Sequence, residues 1–262
     1  MRRRPGTRAV ALLAGPLLAS GMAASLQAQA AVHFVVRVTP EVTLHEPVVL
    51  EYEVDNQSDT AVRMDAGWDR VGAFEIDVLR PDGTHQVAHP HSPPVVTDGP
   101  ASRGPAFQVP PHGRYMQRAV LDEWVDFSEE GRYTLVIRYT GVMLPVPDPS
   151  EGQRLQEIRV VVRPRDASRL REKCEEWLPM VMGVGGASFD ASNLLVNVHD
   201  PVAVPYIERA LAGGWGCWPR FDMFDTLVRI GGPEARQALE TLAKSPTPQT
   251  AWLAQHALAR MK

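Results

Sequence analysis

The sequence predicts a protein of two domains, an all-β sandwich followed by an all-α domain of helical repeats. Three observations predict this fold class. From about residue 32 to residue 163, apolar residues recur with a period of two, which is typical of strands with one buried face. After residue 163 they recur at spacings of three and four, which is typical of amphipathic helices. Within this second half, a pattern returns after 31 or 32 positions, which indicates stacked helix pairs.

The first 30 residues predict a secretory signal peptide. Four arginines, the last of them Arg8, precede an apolar stretch from residue 9 to residue 24, and residues 28–30 offer an A-x-A cleavage site. The apolar stretch is too short and too often interrupted by Gly and Pro for a membrane span. We therefore expect cleavage after Ala30, a secreted or periplasmic location, and a mature chain without a membrane span.

The charge balance disfavours nucleic acid as a partner. The signal contains four arginines and no acidic residue, so the mature chain has 23 basic and 31 acidic residues, a net charge of −8. Phosphate-binding surfaces need clustered Lys and Arg, and no basic run follows residue 30. We expect a protein or peptide partner in the cell envelope.

Three stretches of alternating residues define the clearest strands of the first domain, residues 31–164. Turn sequences lie beside them at residues 55–59, 80–83 and 130–131, and a Pro-rich excursion spans residues 89–111. We expect seven to nine short antiparallel strands in a β-sandwich of immunoglobulin-like type. The predicted inward-facing residues are Val48, Leu50, Tyr52, Val54, Phe74, Ile76, Val78, Tyr133, Leu135, Ile137 and Tyr139.

Two segments of this domain resemble secreted bacterial immunoglobulin-like modules. The segment His45-Glu46-Pro47-Val48-Val49-Leu50, which leads to Val54-Asp55-Asn56, resembles their opening strands. The segment Phe127-Ser128-Glu129-Glu130-Gly131-Arg132-Tyr133 resembles their late corner, where a tyrosine at the start of a strand bonds back to the preceding loop. The resemblance covers about 130 residues and implies a fold but no catalytic residue.

The second domain, residues 165–262, begins with a predicted helix. Asp166 or Ser168 caps this helix, which runs to about Met182. Its predicted buried face consists of Leu170, Cys174, Trp177, Leu178 and Val181. Residues 183–186 are rich in glycine, and because they follow a helix and lack a Lys-Ser/Thr ending, they predict a helix end and linker and not a phosphate loop.

An internal repeat follows this helix. Residues 195–201 align with residues 227–233 at an offset of 32, and the two prolines, Pro201 and Pro233, suit the first turn of the second helix in each pair. The repeat predicts an α-solenoid, in which successive helix pairs cover one another's apolar faces. The same offset places Ala203 on Ala235, Ile207 on Leu239 and Ala210 on Leu242, and an offset of 31 places Phe221 on Trp252 and Leu227 on Leu258.

The segments 233–243 and 254–260 resemble HEAT repeats of the short, phycobilin-lyase-associated type. This resemblance spans roughly residues 187–262 and implies a scaffold. Some relatives act on bilin chromophores, but no residue set in this chain would carry that chemistry, so we expect no cofactor.

Two cysteines, Cys174 and Cys217, allow two interpretations. In an oxidising compartment they can form a disulfide, provided that their Cα atoms come close enough. Alternatively they are two buried thiols that pack as small hydrophobic groups.

The candidate partner-binding residues lie on the second helices of the repeats and in a glycine-rich connection. Trp215 and Trp218 either anchor a partner or, as we favour, seal the helical core. The polar candidates are Glu208, Arg209, Arg236, Gln237 and Glu240.

Candidate metal sites are weak. Four histidines in or beside the Pro-rich loop could bind a transition metal: His85, His89, His91 and His112. No acidic or thiol ligand has an evident fixed spacing to them, and Asp98 is the nearest carboxylate, so an exposed connection is the favoured interpretation. Residues 55–59 resemble the start of a calcium loop, but Thr60 and Ala66 stand where such a loop requires Gly and Glu, which favours a hairpin turn.

No Ser, His and Asp set is recognisable from spacing, and we predict no catalytic residue and no metal.

These observations favour a non-enzymatic binding or scaffold protein. It would recognise a protein or peptide through the helical repeat surface, through the loops of the sandwich, or through both. One alternative is an inhibitor-like or adhesion sandwich, with an active loop at residues 85–112 and the helical domain as a brace. A second alternative is an envelope hydrolase or lyase with a groove between the domains.

Overall fold

The computed structural model describes residues 32–65, 74–89, 106–140, 143–144, 155–213 and 220–261. Several residues with sequence-based predictions lie outside these ranges, and their predictions stay predictions: residues 1–30, His91, Asp98, Trp215, Cys217 and Trp218. We call residues 32–163 the β half and residues 167–261 the helical half, each as far as it is described.

Eleven strands form within the described residues. Their bounds are β1 Val32–Val38, β2 Glu41–Thr43, β3 Val49–Asn56, β4 Val62–Asp65, β5 Phe74–Leu79, β6 His85–Ala88, β7 Ala106–Val109, β8 Arg114–Val120, β9 Gly131–Tyr139, β10 Met143–Leu144 and β11 Leu155–Arg163. They form three sheets, with strand orders β1-β3-β8, β10-β4-β7 and β2-β11-β9-β5-β6. The expected number of seven to nine was too low, because β2 and β10 have only three and two residues, too few to show alternation.

The predicted alternation is confirmed in all three stretches. Every predicted inward-facing residue is buried, and together they belong to one hydrophobic core that strands of all three sheets share. Aromatic rings lie at its centre, with Phe34 5.0 Å from Tyr139 and Tyr52 5.2 Å from Phe74, measured between ring centroids. Burial of large apolar and aromatic side chains makes the main favourable contribution to the folding free energy of this half.

One strand pairing corrects the expectation of an antiparallel sheet. β2 pairs in parallel with β11, with Glu41 opposite Val161, whereas the other pairs within the described residues are antiparallel. Alternation places side chains on two faces but carries no information about strand direction, so the sequence pattern could not reveal this pairing.

The outward face of β3 carries ion pairs to both neighbouring strands. Glu53 lies 2.9 Å from Arg37 of β1 and 3.6 Å from Arg114 of β8, and Glu51 lies 2.7 Å from Arg118 of β8. Cross-strand pairs of opposite charge stabilise a sheet modestly. Glu51 and Glu53 therefore belong to an ion-paired strand surface.

The predicted corner before β9 is confirmed, whereas the hairpin predicted at residues 55–59 is wrong, because this turn joins β3 and β4, which belong to different sheets. The Tyr133 hydroxyl donates to the Glu129 carbonyl at 3.1 Å and accepts from the Glu129 N–H at 3.2 Å, which closes the corner before β9. Gly131 has φ +136°, and a Cβ there would lie 2.7 Å from Cβ of Pro81, so only glycine fits. The turn after β3 is held by Asn56, whose amide nitrogen donates to the carbonyl of Thr60 at 2.8 Å.

Six helices form within the described residues after the last strand. Their bounds are α1 Ala167–Val181, α2 Gly186–Val196, α3 Val204–Ala212, α4 Arg220–Ile230, α5 Gly232–Leu242 and α6 Pro248–Arg260. Short 3-10 turns span Leu121–Glu123 and Pro201–Ala203. No described helix has both the length and the apolar character that a bilayer span requires.

The first helix matches its prediction. The Asp166 carboxylate accepts the N–H groups of Ser168 and Arg169 at 2.9 and 3.1 Å, which caps the helix. All five residues of the predicted face are buried, and the glycine-rich residues 183–186 connect α1 to α2 as expected.

The helices are arranged in two rows. Helices α1, α3 and α5 contact one another in succession, α2, α4 and α6 do the same, and the contacts α1-α2, α3-α4 and α5-α6 join the rows. Positions that the 32-residue offset equates are buried alike, for example Leu195 with Leu227 and Ile207 with Leu239. At the 31-residue offset, Leu227 is buried and Leu258 is half-buried, whereas Trp252 is 54% exposed.

Candidate binding cleft

Four of the five predicted polar binding residues are exposed on the row of α1, α3 and α5. Arg209 lies on α3, and Arg236, Gln237 and Glu240 lie on α5, whereas Glu208 of α3 is half-buried. Because α3 and α5 are neighbours, these side chains follow one row of helices. Trp215 and Trp218 lie outside the described residues, so their role stays a prediction.

A cleft opens between the C-terminal ends of α1 and α3. It has a volume of about 310 Å³ and is lined by Leu178, Pro179, Met182, Arg209 and Ala212. Such a volume is at the lower end of the range for ligand sites, roughly 300–1,000 Å³, so it suits a small group such as one or two side chains.

Exposed apolar residues follow the end of α1. Met182, which lines the cleft, is 45% exposed, Met180 is 38% exposed, and Val184, just beyond the helix, is 93% exposed. Residues two positions apart on a helix do not face each other, so of these three residues it is Met182 that belongs to the cleft. Methionine adapts its shape to different apolar partners, which suits recognition.

Arg209 is the one charged residue that lines the cleft. Within the described part of the chain, its guanidinium makes no hydrogen bond and no ion pair, in contrast to Arg165, Arg169 and Arg260. The side chain is exposed in the last turn of α3. Within the described residues, the cleft therefore combines an apolar lining with one positive charge, that of Arg209.

A hydrogen bond fixes the two helices that form the cleft. The Tyr206 hydroxyl of α3 donates to the Glu175 carboxylate of α1 at 3.0 Å, one helical turn before the cleft residues. Burial, and then the hydrogen bond to Glu175, raise the pKa of Tyr206, so the hydroxyl stays protonated and remains a donor at neutral pH. At position 213, a Cβ atom would meet the flexible end of the Met182 side chain, so α1 and the end of α3 approach closely.

The described histidines do not assemble into a metal site. His85, His89 and His112 are all exposed, and His112 Nε2 lies 3.1 Å from the Asp59 carboxylate. Among the described residues, no group of three or more His, Cys, Asp or Glu side chains has an arrangement that suits a metal ion. His91 and Asp98 lie outside these residues.

Two ionisable groups with strongly shifted pKa values lie away from the cleft. Burial raises the pKa of Asp122 to about 8, with smaller contributions from Glu123 and Asp126, although the N–H of Val48 donates to its carboxylate at 2.8 Å. Burial also raises the pKa of the Cys174 thiol to about 12. The Cys174 side chain lies in the core of the helical half. It forms no disulfide within the described residues, and Cys217 lies outside them.

The sequence analysis missed the cleft itself. Its signal was the run from Pro179 to Val184, which continues the apolar character of α1 beyond the predicted buried face. A helix that is apolar outside its core-facing stripe has a second apolar surface, and this pattern is recognisable from the sequence alone.

Comparison with known proteins identifies no family. No protein-family model matches the sequence, and no curated protein matches it. Among solved structures, the alkylpurine DNA glycosylase AlkC of Pseudomonas fluorescens, bound to DNA containing an abasic site analog, is 15% identical, with a TM-score of 0.28, and the match covers 52% of this chain and 31% of that one. This chain thus matches under a third of the length of the glycosylase.

Two structures of the CARDB domain of PF1109 from Pyrococcus furiosus are also similar to part of the chain. The solution NMR structure is 12% identical, with a TM-score of 0.26, and the match covers 51% of this chain and 94% of that one. The crystal structure in complex with di-metal ions is 12% identical, with a TM-score of 0.27 and coverages of 50% and 86%. TM-scores this low carry no argument about the fold or the function of this protein.

Proposed function

We propose that this chain is a secreted, periplasmic, non-enzymatic binding protein, built from an immunoglobulin-like sandwich and a short array of HEAT-like repeats, that recognises a segment of a protein or peptide in the cell envelope. The two rows of helices and the equivalent burial at a 32-residue offset support the HEAT-like part. The hydrogen bonds of Tyr133 to the loop before β9 support the immunoglobulin-like part.

The observation that carries the binding function is Arg209, which lies at an apolar cleft and has no ion pair or hydrogen bond to another described residue. An exposed guanidinium beside apolar walls favours an occupant with a large apolar side chain next to a carboxylate. The apolar side chain would enter between Leu178 and Ala212, and the carboxylate would pair with Arg209. The negative charge of the whole mature chain disfavours strongly acidic partners, so one local carboxylate fits better than an acidic tract.

Selection from a displayed library of random short peptides on the mature protein tests this function. We expect enrichment of peptides that carry Asp or Glu beside a large apolar residue. Enriched peptides should bind the Arg209→Glu variant about tenfold or more weakly, because a charge-assisted hydrogen bond is lost and a repulsion replaces it.

The matched control is Arg236→Glu, which makes the same charge change on the same row of helices but outside the cleft. It should bind the selected peptides as the unmodified protein does. Absence of enrichment, or equal weakening by both variants, would contradict the assignment of the cleft.

A further inference from the structure

The two halves of the chain have separate hydrophobic cores. Buried apolar residues of the β half form one cluster, and those of the helical half form another. Residues 164–166 connect the last strand to α1, and α2 also contacts β8. Polar contacts around the connection are therefore the feature that can fix the orientation of one half against the other.

The first such contact is an ion pair between Arg169 and Glu46. Arg169 in the first turn of α1 places its Nε 2.7 Å from a carboxylate oxygen of Glu46, and a terminal nitrogen donates to the other oxygen at 3.2 Å. The same arginine donates to the main-chain carbonyl of Glu41 at 3.1 Å. Glu46 is only 5% exposed, so loss of the arginine would leave a buried carboxylate without its counter-charge.

The second contact is an ion pair between Arg165 and Asp200. Arg165, within the connection, binds Asp200 of the helical half through two nitrogens, at 2.5 and 3.0 Å. Asp200 is 1% exposed and also accepts the N–H of Val202 at 2.9 Å. Burial by itself raises the pKa of Asp200, but the Arg165 hydrogen bond and charge outweigh burial and lower it, so the pair stays ionised.

A single threonine ties these two contacts together. The Thr43 hydroxyl donates to the carbonyl of Pro164 at 2.5 Å and accepts the N–H of Asp166 at 2.7 Å, so it holds both ends of the connection. The Thr43 N–H in turn donates to Glu46 at 2.9 Å. Hydrogen bonds thus join Arg169, Glu46 and Thr43 in series to the main chain of residues 164–166, from which Arg165 reaches Asp200.

The loop that carries Glu46 is held in an unfavourable conformation. His45 has φ +71°, in the left-handed region that non-glycine residues seldom adopt. Strained positions of this kind persist only where the surrounding structure compensates for them. Here the compensating contacts are those of Thr43 to the connection and of Glu46 to Arg169 of the helical half.

We infer that Thr43, Glu46, Arg165, Arg169 and Asp200 form an interdomain clamp, a conformational device that holds the helical half in one orientation on the β half. While both ion pairs are intact, the two halves move as one body. Removal of the arginine of either pair leaves a buried carboxylate without its counter-charge, and neutralisation of the carboxylate removes the attraction that holds the arginine in place. Both changes favour separation of the halves and rotation about residues 164–166. The inference is independent of the identity of any ligand.

Small-angle X-ray scattering and trypsin cleavage after Arg165 test the clamp. The variants are Glu46→Gln, Arg169→Gln and Asp200→Asn, in which Asn keeps an acceptor for the N–H of Val202. Each should increase the radius of gyration and accelerate cleavage after Arg165 by about tenfold or more, because proteolysis follows the population of the open form. The control is Arg171→Gln, which removes an exposed arginine of the same helix.

The outcomes separate a mobile connection from general unfolding. Far-UV circular dichroism should be unchanged in the variants, and Arg171→Gln should scatter and be cleaved as the unmodified protein is. Glu46→Gln changes a buried group. If this variant proves unfolded, Arg169→Gln becomes the test of the ion pair, because it alters the more exposed partner of the same pair. Unchanged scattering and cleavage in Arg169→Gln and Asp200→Asn would overturn the inference.

Discussion

The side-chain amide of Gln156 takes the place of a neighbouring strand for Val36. Its oxygen accepts the N–H of Val36 at 3.1 Å, and its nitrogen donates to the carbonyl of Phe34 at 3.0 Å. β1 is the edge strand of its sheet, and Gln156 lies on β11 of another sheet. One side chain thus satisfies two main-chain groups of an open edge and joins two sheets.

Replacement of Gln156 by Leu should destabilise the protein by about 1–3 kcal/mol, because two main-chain groups of β1 lose their partners. Urea denaturation measures the loss. Glu157→Gln, next to it on the opposite face of β11, is the control and should be close to neutral. The freed edge should also make association of the Leu variant depend on protein concentration, which analytical ultracentrifugation would detect.

Asp122 should make the protein less stable as the pH rises. Its pKa is raised from 3.8 to about 8 in the folded chain, so between these pH values the folded chain keeps a proton that the unfolded chain has released. The free energy of unfolding then falls with increasing pH, by at most about 1.4 kcal/mol per pH unit for one proton. Because the Asp122 side chain is only partly buried, we expect the free energy of unfolding to fall with pH by less than this limit.

Asp122→Asn should remove this slope and raise the melting temperature more at pH 8 than at pH 5, since the amide still accepts the N–H of Val48 and has no charge to bury. Calorimetry across this pH range measures the difference. The control is Asp126→Asn, an exposed carboxylate nearby. An equal gain at both pH values would show that Asp122 is ionised in the folded chain throughout.

Tyr133→Phe should destabilise the β half by roughly 1–2 kcal/mol. The change removes both hydrogen bonds to Glu129 but keeps the ring, which lies 5.0 Å from the ring of Phe127 and is fully buried. Chemical denaturation measures the effect, and Glu129→Ala serves as the control, because Tyr133 contacts only main-chain atoms of Glu129. If the two variants were equally stable, the corner would not depend on the hydroxyl.

Cys174 should resist alkylation in the folded protein. The thiol is completely buried and its pKa is raised to about 12, so almost no thiolate forms at pH 8. Mass spectrometry after iodoacetamide treatment of the native protein should show Cys174 unmodified. Modification in the native state would contradict this burial.

The same treatment in denaturant without a reductant tests the disulfide that the sequence allows. Modification of both cysteines after unfolding would identify two free thiols. Protection of both until a reductant is added would identify a bond between Cys174 and Cys217.

Periodicity was sufficient to predict the longer elements of both halves, whereas the short strands β2 and β10 show no alternation and were not predicted. The alternation of Tyr133, Leu135 and Ile137 predicted a buried strand face, and the spacing of Leu170, Cys174 and Trp177 predicted the buried face of α1. These predictions succeeded because each depends on residues two to four positions apart, whose orientation the backbone period determines directly.

The candidate site was predictable only in part. The polar residues of α3 and α5 were named from the repeat, since the repeat indicates which helices are equivalent. The cleft was not predicted, because Met182 and Arg209 line it together only once α1 and α3 have packed, and nothing local to either residue indicates the other.

The sequence by itself determined where the longer strands and helices form, where α1 is capped and which of their faces are buried, because neighbouring residues decide these properties. Tertiary structure alone decided that β2 runs parallel to β11, that Gln156 completes the edge of β1, and that Glu46 meets Arg169 across 123 residues. Such contacts depend on how whole sheets and helices pack. In the sequence, each partner is an ordinary polar residue with no feature that indicates the other.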